Sequence, residues 1–342
     1  MAIPPEPSAV HNDAPPTDRQ PSYKLSHSLS GHTRSVTALR FSNDGKFLVS
    51  AGADGYVHIW DATTGSHIRE IRCHHRGIND LSLSPDSLYL ATCSDDSTCS
   101  IHLLSPSSSS NSSPATNTPL RVLEAHTAPV LACSFSPKSS LLVSGSFDES
   151  AMIWDIRKGK VLRRLPAHAE AVWTVGWDWE GGMVVTGSSD GLIRLWDANT
   201  GQCLKTLDNE SNSPVSYAAF TPSSFFLLSS TLSSTIRLSN FHTAKVLKTL
   251  RAPGIYVNEK YPCHAVVYQA LPRGTEAIET SDRGRRKKKL EAWVMTGSEN
   301  GKLLVWDLQS RTVLQVLEGG HENAVTAVAV SSFDEDVEGM KS

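Results

Sequence analysis

Residues 143–150, VSGSFDES, set three serines, an aspartate and a glutamate in an apolar neighbourhood, with His126 upstream and Trp154 downstream. A hydroxyl, an imidazole and a carboxylate are the parts of a nucleophile, its base and the acid that orients the base. The set recurs, however. Ser144, Asp148 and Trp154 stand 18, 22 and 28 residues after His126. At the same spacings His32 is followed by Ser50, Asp54 and Trp60, and His168 by Thr186, Asp190 and Trp196. A catalytic triad has no reason to occur three times in one register, whereas a structural relay has. In such a relay the imidazole, hydroxyl, carboxylate and indole N–H satisfy one another away from water, and a missing member leaves polar groups unpaired at about 1–3 kcal/mol each. GSSDG at 187–191 has the letters of a G-x-S-x-G motif but reads as a turn between strands, with its serine out of place for a nucleophile elbow. With no phosphate-binding loop and no metal-ligand cluster in the sequence, we expect no catalytic residue, no cofactor and no metal, hence no enzyme.

Composition narrows the class. The chain has 342 residues and a formal net charge of −3, so no global basic field draws it to nucleic acid or to an anionic membrane surface. Six cysteines (Cys73, Cys93, Cys99, Cys133, Cys203, Cys263) include no C-x-x-C pair and read as buried free thiols of a reducing compartment. The proline-rich residues 1–22 lack the apolar core of a signal peptide, and no run reaches the roughly 18 apolar residues of a membrane span. The expectation is a soluble, intracellular protein.

The elements that must position the relay follow from the same repeat. Within each copy the runs are short and alternating, as in VTALRF, FLVSAG, VHIW and HIREIR, and N-D-G, S-P-D or D-G turns separate them. That is the signature of four short antiparallel strands per unit. Units of about 42 residues that cannot bury both faces alone stack radially, as propeller blades. Other copies are degenerate. His74 is followed 28 residues later by His102 in place of tryptophan, the stretch 213–239 carries Ser229, Ser233 and Ser239 at polar positions, and Asn300 has no aligned histidine before it. Blades five and six are therefore expected to be the softer side of the ring. A further copy opens at His321, and SYKLSHSLSGH before blade one reads as an outer strand able to lock the last blade without a free edge.

These repeats resemble the WD-repeat β-propellers. The segments VSGSFDESAMIWDIRKGKVLRRLPAH, NTGQCLKTLDNE and GINDLSLSPDSLYLATCSDD are similar to the seven-bladed WD-repeat subunit of COMPASS-type histone methyltransferases, and the resemblance covers about residues 23–330. The expected fold is all-β, a seven-bladed WD-repeat β-propeller at 23–330 with its last blade incomplete. A disordered proline-rich tail at 1–22 precedes it and an acidic tail at 331–342 follows. The serine-rich insertion 105–119 is expected to be disordered, with Ser105, Ser113 and Thr118 before prolines as phosphorylation candidates. The insertion 271–289 carries the basic cluster Arg283, Arg285, Arg286, Lys287, Lys288 and Lys289, of the nuclear-localisation type.

What the resemblance implies is a nuclear, non-catalytic scaffold or adaptor subunit of a histone H3 lysine methyltransferase complex. Its partners would be protein subunits of that complex and histone tail peptides, without direct binding of nucleic acid or membrane. Carried over position by position, a peptide-binding mouth would be lined by Thr37, Ala53, Asn79, Asp95, Leu131, Phe147, Trp173, Ser189, Ser216 and Tyr261. Leu131, Ser189 and His264 or Ala265 occupy places where the family carries or neighbours aromatic rings, and Asp95 has the charge to pair with a guanidinium. A groove on the opposite side, for an acidic-aliphatic segment of a partner subunit, would be formed by Phe226, Leu238 and Lys248. The competing reading is a WD-repeat adaptor of another assembly, such as a ubiquitin-ligase substrate receptor or a signalling scaffold, because the fold does not dictate the function.

Overall fold

A computed structural model describes residues 23–104, 118–208, 212–269 and 292–331. The tail 1–22, residues 105–117 of the serine-rich insertion, the basic loop 271–289 and all of the acidic tail after residue 331 lie outside the described residues. So do Ser105 and Ser113 and the arginines and lysines of the basic cluster.

Every element among the described residues is a strand, and the strands form antiparallel sheets of four consecutive members. Blade one is β1 (Val36–Phe41), β2 (Phe47–Gly52), β3 (Tyr56–Asp61) and β4 (His67–Arg72). Blade two is β5 (Ile78–Leu83), β6 (Tyr89–Ser94), β7 (Thr98–Leu103) and β8 (Arg121–Glu124). Blade three is β9 (Val130–Phe135), β10 (Leu141–Ser146), β11 (Ala151–Asp155) and β12 (Lys160–Leu165). Blade four is β13 (Val172–Trp177), β14 (Met183–Ser188), β15 (Leu192–Asp197) and β16 (Cys203–Asp208). Blade five is β17 (Val215–Phe220), β18 (Leu227–Thr231), β19 (Thr235–Asn240) and β20 (Lys245–Leu250). Blade six is β21 (Ala265–Gln269), β22 (Ala292–Gly297), β23 (Leu303–Asp307) and β24 (Val313–Leu317).

The core lies between blades rather than within them. Cys93, Cys99, Ile101 and Leu123 of blade two pack on Val130, Cys133, Leu142 and Trp154 of blade three. Equivalent clusters join blades one to two, three to four, four to five and five to six. Full burial of one such aliphatic side chain contributes about 1.5–3 kcal/mol, so each blade is stable only beside its neighbour. Gly145 shows how close they come: a Cβ there would lie 2.7 Å from Val172 of the next blade. Polar groups stitch the same seams. Trp177 Nε1 donates to the Ser134 carbonyl at 3.0 Å, and Thr37 Oγ1 donates to the Ile78 carbonyl at 2.8 Å. All cysteines are free, but Cys203 is exposed and Cys73 half-buried, which corrects the expectation that the thiols are buried throughout.

Blade number also departs from expectation: the described residues build six four-stranded blades, where the repeat register predicted seven. The copy opening at His321 is extended through 324–330 but belongs to no sheet among the described residues. Instead this single segment spans the seam between blades six and one. The His264 N–H donates to the Thr326 carbonyl at 3.0 Å, and Thr326 Oγ1 donates to the Val36 carbonyl at 3.2 Å. Val325 and Val328 pack on Met295 and Val305 of blade six. The stretch before β1 likewise carries no strand; Tyr23 is tied to the Gln315 side chain of β24 by two hydrogen bonds, at 2.9 and 2.8 Å.

Candidate functional site

Three blades carry the full relay. In blade three His126 Nδ1 meets Asp148 Oδ2 at 2.9 Å, His126 Nε2 meets Ser144 Oγ at 2.8 Å, and Trp154 Nε1 donates to the same hydroxyl at 2.8 Å. Blade one repeats it with His32, Asp54, Ser50 and Trp60 at 3.0, 2.9 and 3.0 Å. Blade four repeats it with His168, Asp190, Thr186 and Trp196 at 2.9, 2.8 and 2.9 Å. In each, strand and turn fix the members: the hydroxyl sits mid-strand, the carboxylate in the following turn, the indole on the next strand. A hydroxyl that accepts from the indole and faces the imidazole edge inside a sheet is a locked bridge, not an exposed nucleophile.

Burial alone would raise the Asp148 carboxyl, but hydrogen bonds from Ser150, the Thr127 N–H and His126 outweigh it and hold it at about 2. Burial pushes His126 below the ordinary imidazole range despite the opposing pull of Asp148. Sequence reading missed two relay members of blade two: His74 bonds Asp96 at 2.8 Å and Thr92 at 2.9 Å. The same offsets of 18 and 22 residues would have found them. There His102 replaces the indole, and its buried Nε2 has no hydrogen-bond partner. Blade five has no relay, and Asn258 fills its interior, donating to Ser216 Oγ at 3.0 Å.

The ten mouth positions gather at one end of the ring. Thr37, Asn79, Leu131, Trp173 and Ser216 are each the second residue of an inner strand. Ala53, Asp95, Phe147 and Ser189 open the turns after the second strands, and their N–H groups donate to Ser35, Gly77, Pro129 and Ala171 at 2.9 to 3.1 Å. Asn79 Nδ2 donates to Asp95 Oδ1 at 2.8 Å and so orients the carboxylate. Phe147 is 61% exposed and Tyr261 55%, whereas Ser216 is buried, its hydroxyl paired with that of Ser230. Glu299, which the sequence reading passed over, opens the matching turn of blade six. Its carboxylate accepts the N–H of Glu259 at 2.6 Å and of Tyr261 at 2.9 Å. These bonds outweigh burial and hold its pKa down, leaving a second acid at the mouth.

Below the mouth the channel narrows to a cavity of about 330 Å³ whose walls include Arg40, Asp80, Trp173, Tyr217 and His264. Asp80 accepts Arg40 Nη2 at 3.1 Å, the Leu81 N–H at 2.8 Å and the Cys133 N–H at 3.2 Å. It ties three blades together. Burial lowers His264 to about 3, with the nearby Arg40 charge adding to the effect, so the ring packs neutral against Tyr217 at a centroid distance of 5.2 Å. An aspartate inside the strand INDLSL was the sequence signal for this buried pair.

The three groove positions lie together on blade five. Leu238 is buried in the core between blades five and six, with Phe226 packed against it. Lys248 lies opposite Leu238 and reaches the Gln309 carbonyl of blade six at 3.2 Å. Phe226 and Lys248 are half-buried.

Comparison with known proteins agrees with this geometry. Segments of the chain are similar to Actin-interacting protein 1 of Drosophila melanogaster, 42% identical over 81 residues, which is 23% of this chain and 13% of that protein. Protein hir-1 of Neurospora crassa is 35% identical over 150 residues, 38% of this chain and 14% of that protein. A guanine nucleotide-binding protein subunit beta of Oryza sativa subsp. indica is 28% identical over 134 residues, 39% and 34% of the two chains. The chain thus spans well under half the length of each of these relatives. The family match is broader, and because it runs over residues 28–338, across every blade, the chain belongs to the WD-repeat proteins of the WDR5 beta-propeller domain family.

Proposed function

We propose that this propeller is a non-catalytic scaffold subunit of a nuclear histone H3 lysine methyltransferase complex of COMPASS type. In this reading its mouth takes an arginine-bearing peptide, from a histone tail or from a partner subunit. The observation that carries the reading is the Asp95 carboxylate, oriented by Asn79 at the mouth, with the exposed Phe147 ring on the adjacent blade. A guanidinium paired to an oriented carboxylate forms charge-assisted hydrogen bonds, and an aromatic face beside it adds about 0.5–2 kcal/mol of cation–π attraction. The serine, histidine and aspartate sets are committed to the relay, which leaves binding, not turnover, as the work of the surface.

Titration of an arginine-bearing histone H3 tail peptide tests the mouth. Micromolar binding, weakened at least tenfold in Asp95→Ala, is the expected result; a tenfold loss corresponds to about 1.4 kcal/mol. No binding to the intact protein removes the pocket. Affinity purification tests the assembly separately: a SET-domain protein should co-purify, and recovery of a cullin-linked adaptor in its place would assign the propeller to another complex.

A further inference from the structure

Seven hydroxyl residues of the chain stand immediately before a proline, and the structure separates them: Ser84, Ser105, Ser113, Thr118, Ser136, Ser213 and Thr221. Ser84, Ser136 and Thr221 are buried in the turns that follow inner strands. Their hydroxyls are committed there: Ser84 donates to Asp86, Ser136 Oγ accepts the Leu141 N–H at 3.1 Å, and Thr221 Oγ1 donates to the Phe226 carbonyl at 3.2 Å. Ser213 is half-buried, and Ser105 and Ser113 lie outside the described residues. Thr118 differs. It is exposed, as are Pro119, Leu120 and Arg121 after it, and its hydroxyl has no hydrogen bond among the described residues.

The backbone presents this stretch at an open edge. The Leu120 N–H donates to the Ile101 carbonyl at 2.7 Å, so the ladder of blade two begins just after Pro119, and β8 has β7 alone as its hydrogen-bonded neighbour. Thr118-Pro119-Leu120-Arg121 is also the one case of the seven with a cation three residues after the hydroxyl; in the other six that place is serine or threonine. Each feature has a chemical use. Proline brings no N–H that an enzyme's groove would have to satisfy, and its φ is already fixed. An exposed arginine at a set distance offers a charge-assisted contact to an acidic group of the enzyme.

We propose that Thr118 is a phosphoacceptor for a proline-directed serine/threonine kinase that reads a cation three residues beyond the acceptor. Thr118 Oγ1 attacks the γ-phosphorus of ATP, the bond to the bridging oxygen breaks, ADP leaves, and the hydroxyl proton passes to the base of the kinase. The product carries about −1.5 to −2 of added charge at neutral pH. That charge enters a surface able to take it: a Cβ at Gly159 would lie 3.5 Å from Arg121 Cδ, so Arg121 lies against the turn of blade three that carries Lys158 and Lys160. Neither Arg121 nor Lys160 has an acidic partner among the described residues.

Incubation of the full chain with a cyclin-dependent kinase and magnesium ATP, followed by peptide mapping in a mass spectrometer, tests the site. Phosphate on Thr118 is the expected product. Thr118→Ala should lower the incorporation at least tenfold and Thr118→Ser should restore it, while Arg121→Ala should slow modification of Thr118 at least fivefold. Both alanine variants change exposed side chains and should melt within about 2 °C of the parent, which separates loss of the acceptor from loss of the fold. Phosphate on Ser105 or Ser113 with Thr118 unmodified would overturn the proposal, as would no phosphate at all from a kinase that fully modifies a control peptide. Equal rates at Thr118 in the parent and in Arg121→Ala would overturn the role of the cation.

Discussion

At the scale of single residues, the relay makes the protein's stability depend on pH with a definite sign. Asp148 and Asp96 are held at about 2, below the ordinary carboxyl range, because hydrogen bonds outweigh the effect of burial. Their contribution is present above the unfolded carboxyl range and is lost as pH falls towards about 2. His126 and His168 are lowered by burial, so the unfolded chain takes up their protons first, and acid removes stability as pH drops through roughly 6.5. Both effects act in the same direction. Denaturant midpoints should therefore be flat between about pH 7 and 8 and decline continuously below that range. His126→Ala, which leaves Asp148 and the Ser144–Trp154 bridge short of a partner, should cost about 1–3 kcal/mol at pH 7 and make the decline shallower. An unchanged pH slope in that variant would deny the relay its role. These residues were legible in the sequence because their offsets repeat; the sequence marked Asp80 only as an acid inside a strand, and nothing local says that its partner is Arg40 on another blade.

At the scale of elements, each blade is a four-stranded meander whose alternation and turns were readable run by run. What differs between blades is the quality of the buried polar chain. Blade two keeps His74, Thr92 and Asp96 but leaves His102 Nε2 unpaired in the core. Its strand register sets His102 across from Leu90, as Trp60 is set across from Leu48. His102→Trp would supply an indole N–H within reach of Thr92 and remove the orphan nitrogen. Thermal unfolding should show a gain of about 1 kcal/mol, or roughly 1–2 °C for a chain of this size. A lower midpoint would mean that blade two has closed around the smaller ring and that overpacking outweighs the new bond.

At the scale of the whole molecule, the six blades of the described residues are bridged, six to one, by one extended segment. Gly297 is the point of closest approach: a Cβ there would collide with the Val325 carbonyl oxygen, a backbone atom that cannot swing aside. Gly297→Ala should displace 324–330, break the Val325 N–H to Ser298 and His264 N–H to Thr326 bonds, and lower the melting temperature by several degrees. Hydrogen exchange at the amides of Val325 and His264 reads this directly; protection unchanged there, with a lower melting point, would confine the effect to β22.

The sequence by itself determined the repeat, the all-β blades and the members of each relay, because strand alternation, turn chemistry and the offsets of 18, 22 and 28 residues are local properties that survive in one dimension. Tertiary structure decided the rest. The copy at His321 bridges blades six and one and forms no further sheet among the described residues. Likewise Leu238 enters a core and Ser216 is buried against Ser230. Each of these depends on which blade or strand lies alongside, and no residue's own neighbours in the chain encode that.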